Sequence, residues 1–137
     1  MNMGEIREKV FAEAVNARRT AKNTHAIDGI FQDGTTYEFK TLIGSKPSVG
    51  GKKTLQGQKT IYKAIQNYLI ADFLVVEIAE GRYLKMPRAE AVEWLTERVT
   101  ISKASESRGG WDKLRILKQP RTARSTEAIL KRGYLIR

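Results

Sequence analysis

Residues 72–79 read Asp-Phe-Leu-Val-Val-Glu-Ile-Ala, a nearly continuous apolar run. A run of this length and β-branched content is that of a strand buried on both faces, and such a strand needs cover on both sides. The flanking segments supply it. Residues 3–19 have the period of a helix, with Met3, Ile6, Val10, Ala14 and Ala17 on one stripe. Asn23-Thr24 interrupts that pattern. Residues 25–31 then read as a strand, Gln32-Asp33-Gly34 as a turn, and residues 35–43 as a second strand, together a β-hairpin. Residues 44–57 are rich in Gly, Ser and Lys and read as a long loop. A helix is expected from Gln58 to about Ala71, with Ile61, Ile65 and Tyr68-Leu69 on one side.

After the apolar strand, Glu80-Gly81 turns the chain into a short strand, Arg82–Met86. Pro87 opens a helix reaching about residue 98, with Val92 and Leu95 facing in. Residues 102–112 read as a loop and Leu114–Lys118 as a strand ended by Pro120. Ser125 is placed to cap a last helix to Arg132, with Gly133 as its stop. The order α-ββ-α-β-β-α-β-α predicts an α/β fold, a mixed central sheet flanked by helices.

The 137 residues amount to one domain. A chain of this size buries about 70% of its unfolded surface, enough for one core. Lys and Arg number 25 against 15 Asp and Glu, a net charge of +10, which points to a polyanionic partner, nucleic acid before an acidic protein. The absence of cysteine excludes a disulfide framework, a thiolate zinc site and a Cys nucleophile. The single histidine, His25, argues against a His-based zinc site and a Ser-His-Asp triad. No apolar run approaches 18 residues, and the charged start MNMGEIREKV lacks a signal peptide's apolar stretch. A soluble, cytoplasmic protein is expected.

The chemistry concentrates on Asp28, Glu38 and Lys40. Side chains alternate along a strand, so Glu38 and Lys40 project from one face while Tyr37, Phe39 and Thr41 project from the other. A carboxylate on a rigid strand can ligate Mg²⁺, and the lysine beside it can position a water or steady charge on phosphate. Asp28 supplies the second carboxylate. Hairpin geometry makes a demand here. With a three-residue loop, Gln32-Asp33-Gly34, position 31 faces 35 and position 28 faces 38. With Asp33-Gly34 alone, the usual two-residue turn, Asp28 opposes Phe39 and points away. The metal-site reading therefore requires an odd loop or a bulge, with Gly34 at positive φ.

Asp28 with Glu38-Phe39-Lys40, in the order helix–strand–strand–helix–strand, resembles the PD-(D/E)xK nuclease superfamily, the restriction-endonuclease-like fold. The resemblance covers about residues 3–80, and the Tyr-Glu-Phe-Lys-Thr-Leu run is similar to small orthodox type II restriction enzymes. Ile27, not Pro, precedes Asp28. The resemblance implies a Mg²⁺-dependent endonuclease, with Mn²⁺ as a substitute. It implies DNA phosphodiester hydrolysis to 5′-phosphate and 3′-hydroxyl ends, and a cytoplasmic setting in a bacterium, archaeon or phage. Asp28, Glu38 and the Phe39 carbonyl would bind the metal and Lys40 would orient the attacking water. Residues 81–137 would serve DNA contact or dimerisation, since a single site cuts a duplex most simply as a homodimer.

Glu13 is a further candidate. It reads as near the middle of the first helix's apolar stripe, between Ile6, Val10 and Ala17, where a lone carboxylate is costly unless paired or ligating, and in many superfamily members an acidic residue of this helix joins the metal site. Glu5 and Glu8 lie off that stripe and read as surface. Gln58 and Tyr62, four apart, resemble a Gln-x-x-x-Tyr pair of several nuclease branches, and Lys59 and Lys63 lie beside them. Gly50-Gly51-Lys52-Lys53-Thr54 resembles a P-loop but lacks its first glycine, Lys46 standing there, and has Lys53 at the Ser/Thr position. Lys46, Lys52 and Lys53 read instead as an arm tracking the DNA backbone. The run Lys118–Arg124 carries further basic residues. His25 reads as structural, and Trp94 and Trp111 as core anchors.

Other roles on the same core are a homing nuclease, a junction resolvase, or a toxin domain cleaving tRNA or DNA, the last with an immunity partner. A non-catalytic nucleic-acid-binding module would bind in EDTA and cleave nothing.

Overall fold

The computed structural model describes residues 3–21, 27–44, 60–103, 112–116 and 134–135. Helix α1 spans Met3–Val15, followed by strands β1 (Arg18–Arg19), β2 (Gly29–Ile30) and β3 (Thr36–Thr41). Helix α2 is Ile61–Tyr68, β4 Phe73–Ala79, β5 Arg82–Pro87 and α3 Arg88–Arg98. Strands β6 (Val99–Lys103), β7 (Asp112–Ile116) and β8 (Tyr134–Leu135) complete the described elements. A six-stranded sheet has the order β1-β2-β3-β4-β5-β8, and β6 and β7 form a separate antiparallel pair. Among the described strands only β3 and β4 run parallel; α2 lies in their crossover. The chain is thus a mixed α/β protein with helices on both faces of a mixed sheet. Among the described residues no helix is long and apolar enough to cross a membrane.

The apolar run does form the central strand. Leu74, Val75 and Val76 of β4 are all buried. On one face Leu74 and Val76 join Leu42, Ile65, Leu69, Leu84, Met86, Trp94 and Leu95, the layer under α2 and α3. On the other, Val75 joins Phe11, Tyr37, Phe39 and Tyr83 under α1. Phe11 is central to that aromatic layer, with ring centroids 5.3 Å from Tyr37, 5.4 Å from Phe39 and 4.8 Å from Tyr83. Trp94 is fully buried, as a core anchor should be. Thr60 caps α2, its hydroxyl accepting from the Lys63 N–H at 3.1 Å.

Three sequence expectations are corrected. The first helix ends at Val15, not residue 19. Asn16 takes a left-handed φ of 55° and Ala17 donates to the Ala12 carbonyl at 2.9 Å, a helix stop, after which Arg18–Arg19 form an edge strand. The stripe Met3, Ile6 and Val10 is exposed, and Phe11 and Ala12 face the sheet. A strand at Val99–Lys103, running from the helix end into what read as loop, pairs with Asp112–Ile116, which overlaps the strand expected at Leu114–Lys118. The last helix expected from Ser125, along with His25, Trp111 and the run Lys118–Arg124, lies outside the described residues.

The rotation of α1 has a physical cause. Glu77 on β4 is fully buried. Arg7 of α1 grips it with a bidentate fork, Nε to Oε1 and Nη2 to Oε2 at 2.6 Å, and Thr41 Oγ1 donates to Oε1 at 2.8 Å. A buried carboxylate stripped of its partner costs more than three exposed apolar side chains, so Arg7, Phe11 and Val15 turn inward together. Arg7→Met should therefore destabilise the chain by about 3–5 kcal/mol. Adding Glu77→Gln, which keeps an acceptor for Thr41 but no charge, should recover most of that loss in a denaturant double-mutant cycle. Additive losses would show that the fork does not set the helix.

Candidate active site

The hairpin carries the site, and its turn is the odd one. Phe31 N–H donates to the Thr35 carbonyl at 2.8 Å and Gly34 N–H to the Phe31 carbonyl at 2.9 Å, so residue 31 faces 35 across a three-residue loop. Gly34 has φ +88°, a conformation glycine adopts without strain. Asp33 accepts from the Thr35 N–H at 2.9 Å, fixing the turn. The register that follows pairs Ile30 with Thr36 and Gly29 with Tyr37.

At Asp28 the ladder changes. Its N–H donates to the Tyr37 carbonyl at 2.8 Å, so Asp28 and Gly29 share one partner on β3, a bulge. One Asp28 carboxylate oxygen accepts from the Phe39 N–H at 2.7 Å. The carboxylate thereby takes the place of the next backbone acceptor along β3. Its pKa is pushed up to about 7, first by burial and then by the neighbouring Glu38 carboxylate, with Glu8 adding to the rise; the Phe39 hydrogen bond pulls the other way. Gly29 has no room for a side chain. A Cβ there would lie 2.3 Å from Tyr37 Oη and 2.4 Å from Cζ.

Glu38 is buried at 4% exposure. Lys40 Nζ lies 3.0 Å from its Oε1, and the Tyr68 hydroxyl donates to the same oxygen at 3.3 Å. The Lys40 ammonium also stands 5.9 Å from the centre of the Tyr68 ring. Oε2 of Glu38 is buried and accepts no hydrogen bond. Burial on its own would lower the Lys40 pKa, but the carboxylate of Glu38, with Tyr68 and Asp28, outweighs it and raises the value. Lys40 is therefore a permanent ammonium. It can orient a water or balance negative charge, and it cannot take a proton. Burial raises the Tyr68 hydroxyl too, so Tyr68 is a donor throughout the working pH range.

Asp28, Glu38 and Lys40 thus come together, but not through the 28–38 pairing expected of a three-residue loop: Asp28 shares Tyr37 with Gly29 and reaches the Phe39 N–H from the bulge. Glu13 does not join them: it is exposed, because the rotation of α1 turns the Met3–Ile6–Val10 side to solvent. Glu8 takes the inward place, its carboxylate 3.5 Å from Arg19 and raised in pKa by burial and, in part, by Glu38. Tyr62 is 44% exposed, and Lys63, also exposed, has its Nζ 3.4 Å from Gln66 Oε1. The tyrosine of α2 that reaches the site is Tyr68, six residues on; an aromatic ending a helix just before the buried strand was its one sequence signal. Lys46, Lys52, Lys53, Gln58 and Lys59 lie outside the described residues. Among the described residues no group of three or more His, Cys, Asp or Glu side chains is arranged to hold a metal ion. The Asp28–Glu38 pair is a set of two. No model of a known protein family matches the chain, and no characterised protein shows detectable sequence similarity to it.

Two outcomes follow for stability. Gly29→Ala should cost about 1–3 kcal/mol in chemical denaturation, because the Tyr37 ring must shift. Asp28 holds its proton to about 7, against roughly 4 in an unfolded chain. A group whose folded value is raised favours the fold below the unfolded value, and that contribution is lost as pH rises through the folded one. Asp28→Asn can still accept from Phe39 but carries no charge. Without divalent cations its melting temperature should match the parent near pH 4 and exceed it by a few degrees at pH 8. A difference independent of pH would rule out charge burial as its origin.

Proposed function

We propose that this chain is a Mg²⁺-dependent endonuclease that hydrolyses DNA phosphodiester bonds, a restriction-endonuclease-like member of the PD-(D/E)xK superfamily acting as a homodimer on duplex DNA. One observation carries the reading. A half-buried carboxylate, Asp28, and a buried one, Glu38, sit side by side next to a permanent ammonium, and one Glu38 oxygen is buried without a partner. A protein core rarely leaves a carboxylate oxygen so placed, since each unsatisfied polar group costs about 1–3 kcal/mol. A hard cation with oxygen ligands is the occupant that satisfies it.

Asp28, Glu38 Oε2 and the Phe39 carbonyl would hold the ion, with Glu8 at the margin in the place expected of Glu13. Bound there, the ion would supply Lewis acidity and neutralise the charge that two adjacent carboxylates present to a phosphate. The remaining work belongs to the chain. Lys40, held by Glu38 and Tyr68, points an ammonium at the reacting phosphate, orients the attacking water and steadies the charge that grows on the phosphate oxygens. The Phe39–Asp28 hydrogen bond keeps Asp28 from turning away. The water oxygen bonds to phosphorus as the bond to the 3′ oxygen breaks, leaving 5′-phosphate and 3′-hydroxyl ends.

The test is single-turnover cleavage of duplex DNA with Mg²⁺, with RNA in parallel. Asp28→Asn and Glu38→Gln should abolish cleavage and leave binding intact or tighter, since each removes negative charge beside the phosphate. Lys40→Ala should lower the rate by a factor of roughly 10²–10³, the worth of about 3–4 kcal/mol of electrostatic stabilisation. It also strips Glu38 of its counter-ion, so the rate is read well below that variant's melting temperature. Near-normal cleavage by any of the three would remove the assignment. Degradation of RNA alone would move the target to the toxin class.

A further inference from the structure

We infer that Arg18, on the edge strand β1, is a binding residue for the phosphodiester backbone of the substrate, and that its neighbour Arg19 is not. The inference rests on the nuclease reading above and adds where the polynucleotide lies.

The two arginines are adjacent and exposed, and the sheet sends them to opposite faces. Arg18 pairs with Ile30, and Ile30 with Thr36; cross-strand partners share a face. Thr36, Glu38 and Lys40 alternate along β3, so Arg18 stands on the face of Glu38 and Lys40. Arg19 pairs with Gly29, and Gly29 with Tyr37, whose ring lies in the layer under α1. The Glu8 carboxylate of α1, 3.5 Å from Arg19, confirms that side independently. Arg19 is a structural cation. Arg18 makes no ion pair with any described residue.

Among the described residues, Arg18 is exposed and Ile30 half-buried on the β1–β2 side of this face. Beyond Glu38 toward β4, the face is roofed by the apolar layer of Leu42, Leu74 and Val76 under α2 and α3. A large polyanion approaches the carboxylates across β2 and β1. Two residues along and two strands across place Arg18 roughly 12 Å from Glu38, backbone to backbone. With a phosphate every 3.4 Å or so of duplex axis on each strand, its guanidinium meets a phosphate a few nucleotides from the reacting one. The contact is held in place. Thr20 N–H donates to the Asp28 carbonyl at 2.9 Å and Thr20 Oγ1 to the Ile27 carbonyl at 2.5 Å, so the edge strand is tied to the segment that carries Asp28. Among the described residues, Lys63 Nζ lies 3.4 Å from the Gln66 side-chain oxygen and Arg88 Nη2 3.3 Å from the Gln66 carbonyl.

The adjacent arginines provide their own control. The full chain carrying Asp28→Asn, unable to cleave, is titrated with a short labelled DNA duplex and Mg²⁺ between about 50 and 200 mM salt. Adding Arg18→Gln should weaken binding several-fold and lower the slope of log K against log salt by about 0.9, one phosphate contact. Adding Arg19→Gln, which removes the same charge, should leave the slope unchanged and lower the melting temperature instead. Equal slopes in all three proteins, or equal losses from the two arginines, would overturn the inference while leaving the nuclease reading standing. Failure of the Asp28→Asn chain to bind either duplex DNA or RNA would overturn the nuclease reading and this inference with it. Both arginines are exposed, so circular dichroism should show the folded spectrum for each variant.

Discussion

A carboxylate at the centre of the sheet, with no path to water, is the constraint on which the architecture turns. Glu77 is fully buried on the central strand, between β3 and β5. Its two oxygens are met by the Arg7 fork and the Thr41 hydroxyl, and its backbone carbonyl by the Leu42 N–H at 3.0 Å. Every one of those partners reaches across sequence. Arg7 belongs to the first helix, and Thr41 to the strand that carries Glu38 and Lys40. The pair thus sets how α1 is turned, and through it which carboxylate of that helix faces the hairpin. Isolated buried pairs of this kind add little stability over apolar packing, but they make a wrong arrangement expensive. Here the wrong arrangement is α1 rolled to bury Met3, Ile6 and Val10.

The aromatic layer under α1 does the complementary work. Phe11, Tyr37, Phe39 and Tyr83 fill the space between helix and sheet, and Phe31 and Phe73 extend it toward the hairpin turn. The Lys85 ammonium closes that end, 4.3 Å from the Phe31 ring centre and 4.1 Å from that of Phe73. Because Tyr37 and Phe39 are locked on this side, Glu38 and Lys40 have no choice of face. Tyr37 also lies over Gly29 so closely that only glycine fits. The bulge at Asp28-Gly29 is therefore a packing consequence as much as a turn consequence.

What was legible in the sequence was local. The alternation of Tyr37 to Thr41 and the spacing of Asp28 from Glu38 demanded an odd loop or a bulge with Gly34 at positive φ, and the hairpin has both, so that Asp28 meets Tyr37 rather than Glu38 across the strands. The apolar run at 72–79 demanded cover on both faces, and it has helices on both. What was not legible depended on partners far along the chain. Glu77 reads as one polar residue in an apolar strand until Arg7, 70 positions earlier, is placed beside it. Without that pair, the Met3–Ile6–Val10 stripe and the Arg7–Phe11–Val15 stripe both have helical spacing, and the more apolar one wins. The preference for Glu13 over Glu8 follows from the same error. Arg18–Arg19 has no strand signal of its own; two residues become a strand because β2 offers an open edge.

Two glutamates on neighbouring strands, Glu38 and Glu77, are buried to nearly the same degree, at 4% and 0% exposure. Their surroundings differ in one respect. Glu77 is saturated, with a guanidinium fork across both oxygens and a hydroxyl on one. Glu38 has Lys40 and Tyr68 on a single oxygen and nothing on the other. If Glu38 served only to hold the sheet, the low dielectric around it would favour the arrangement seen at Glu77, since a half-satisfied buried charge is less stable than a fully paired one. The neighbouring Asp28, pushed up by that same charge, adds to the cost. A fold that satisfies one buried carboxylate completely and leaves its neighbour half open places its unspent electrostatic demand at one point on the sheet. On the proposed reading, that demand is what recruits a divalent cation and, with it, a phosphate.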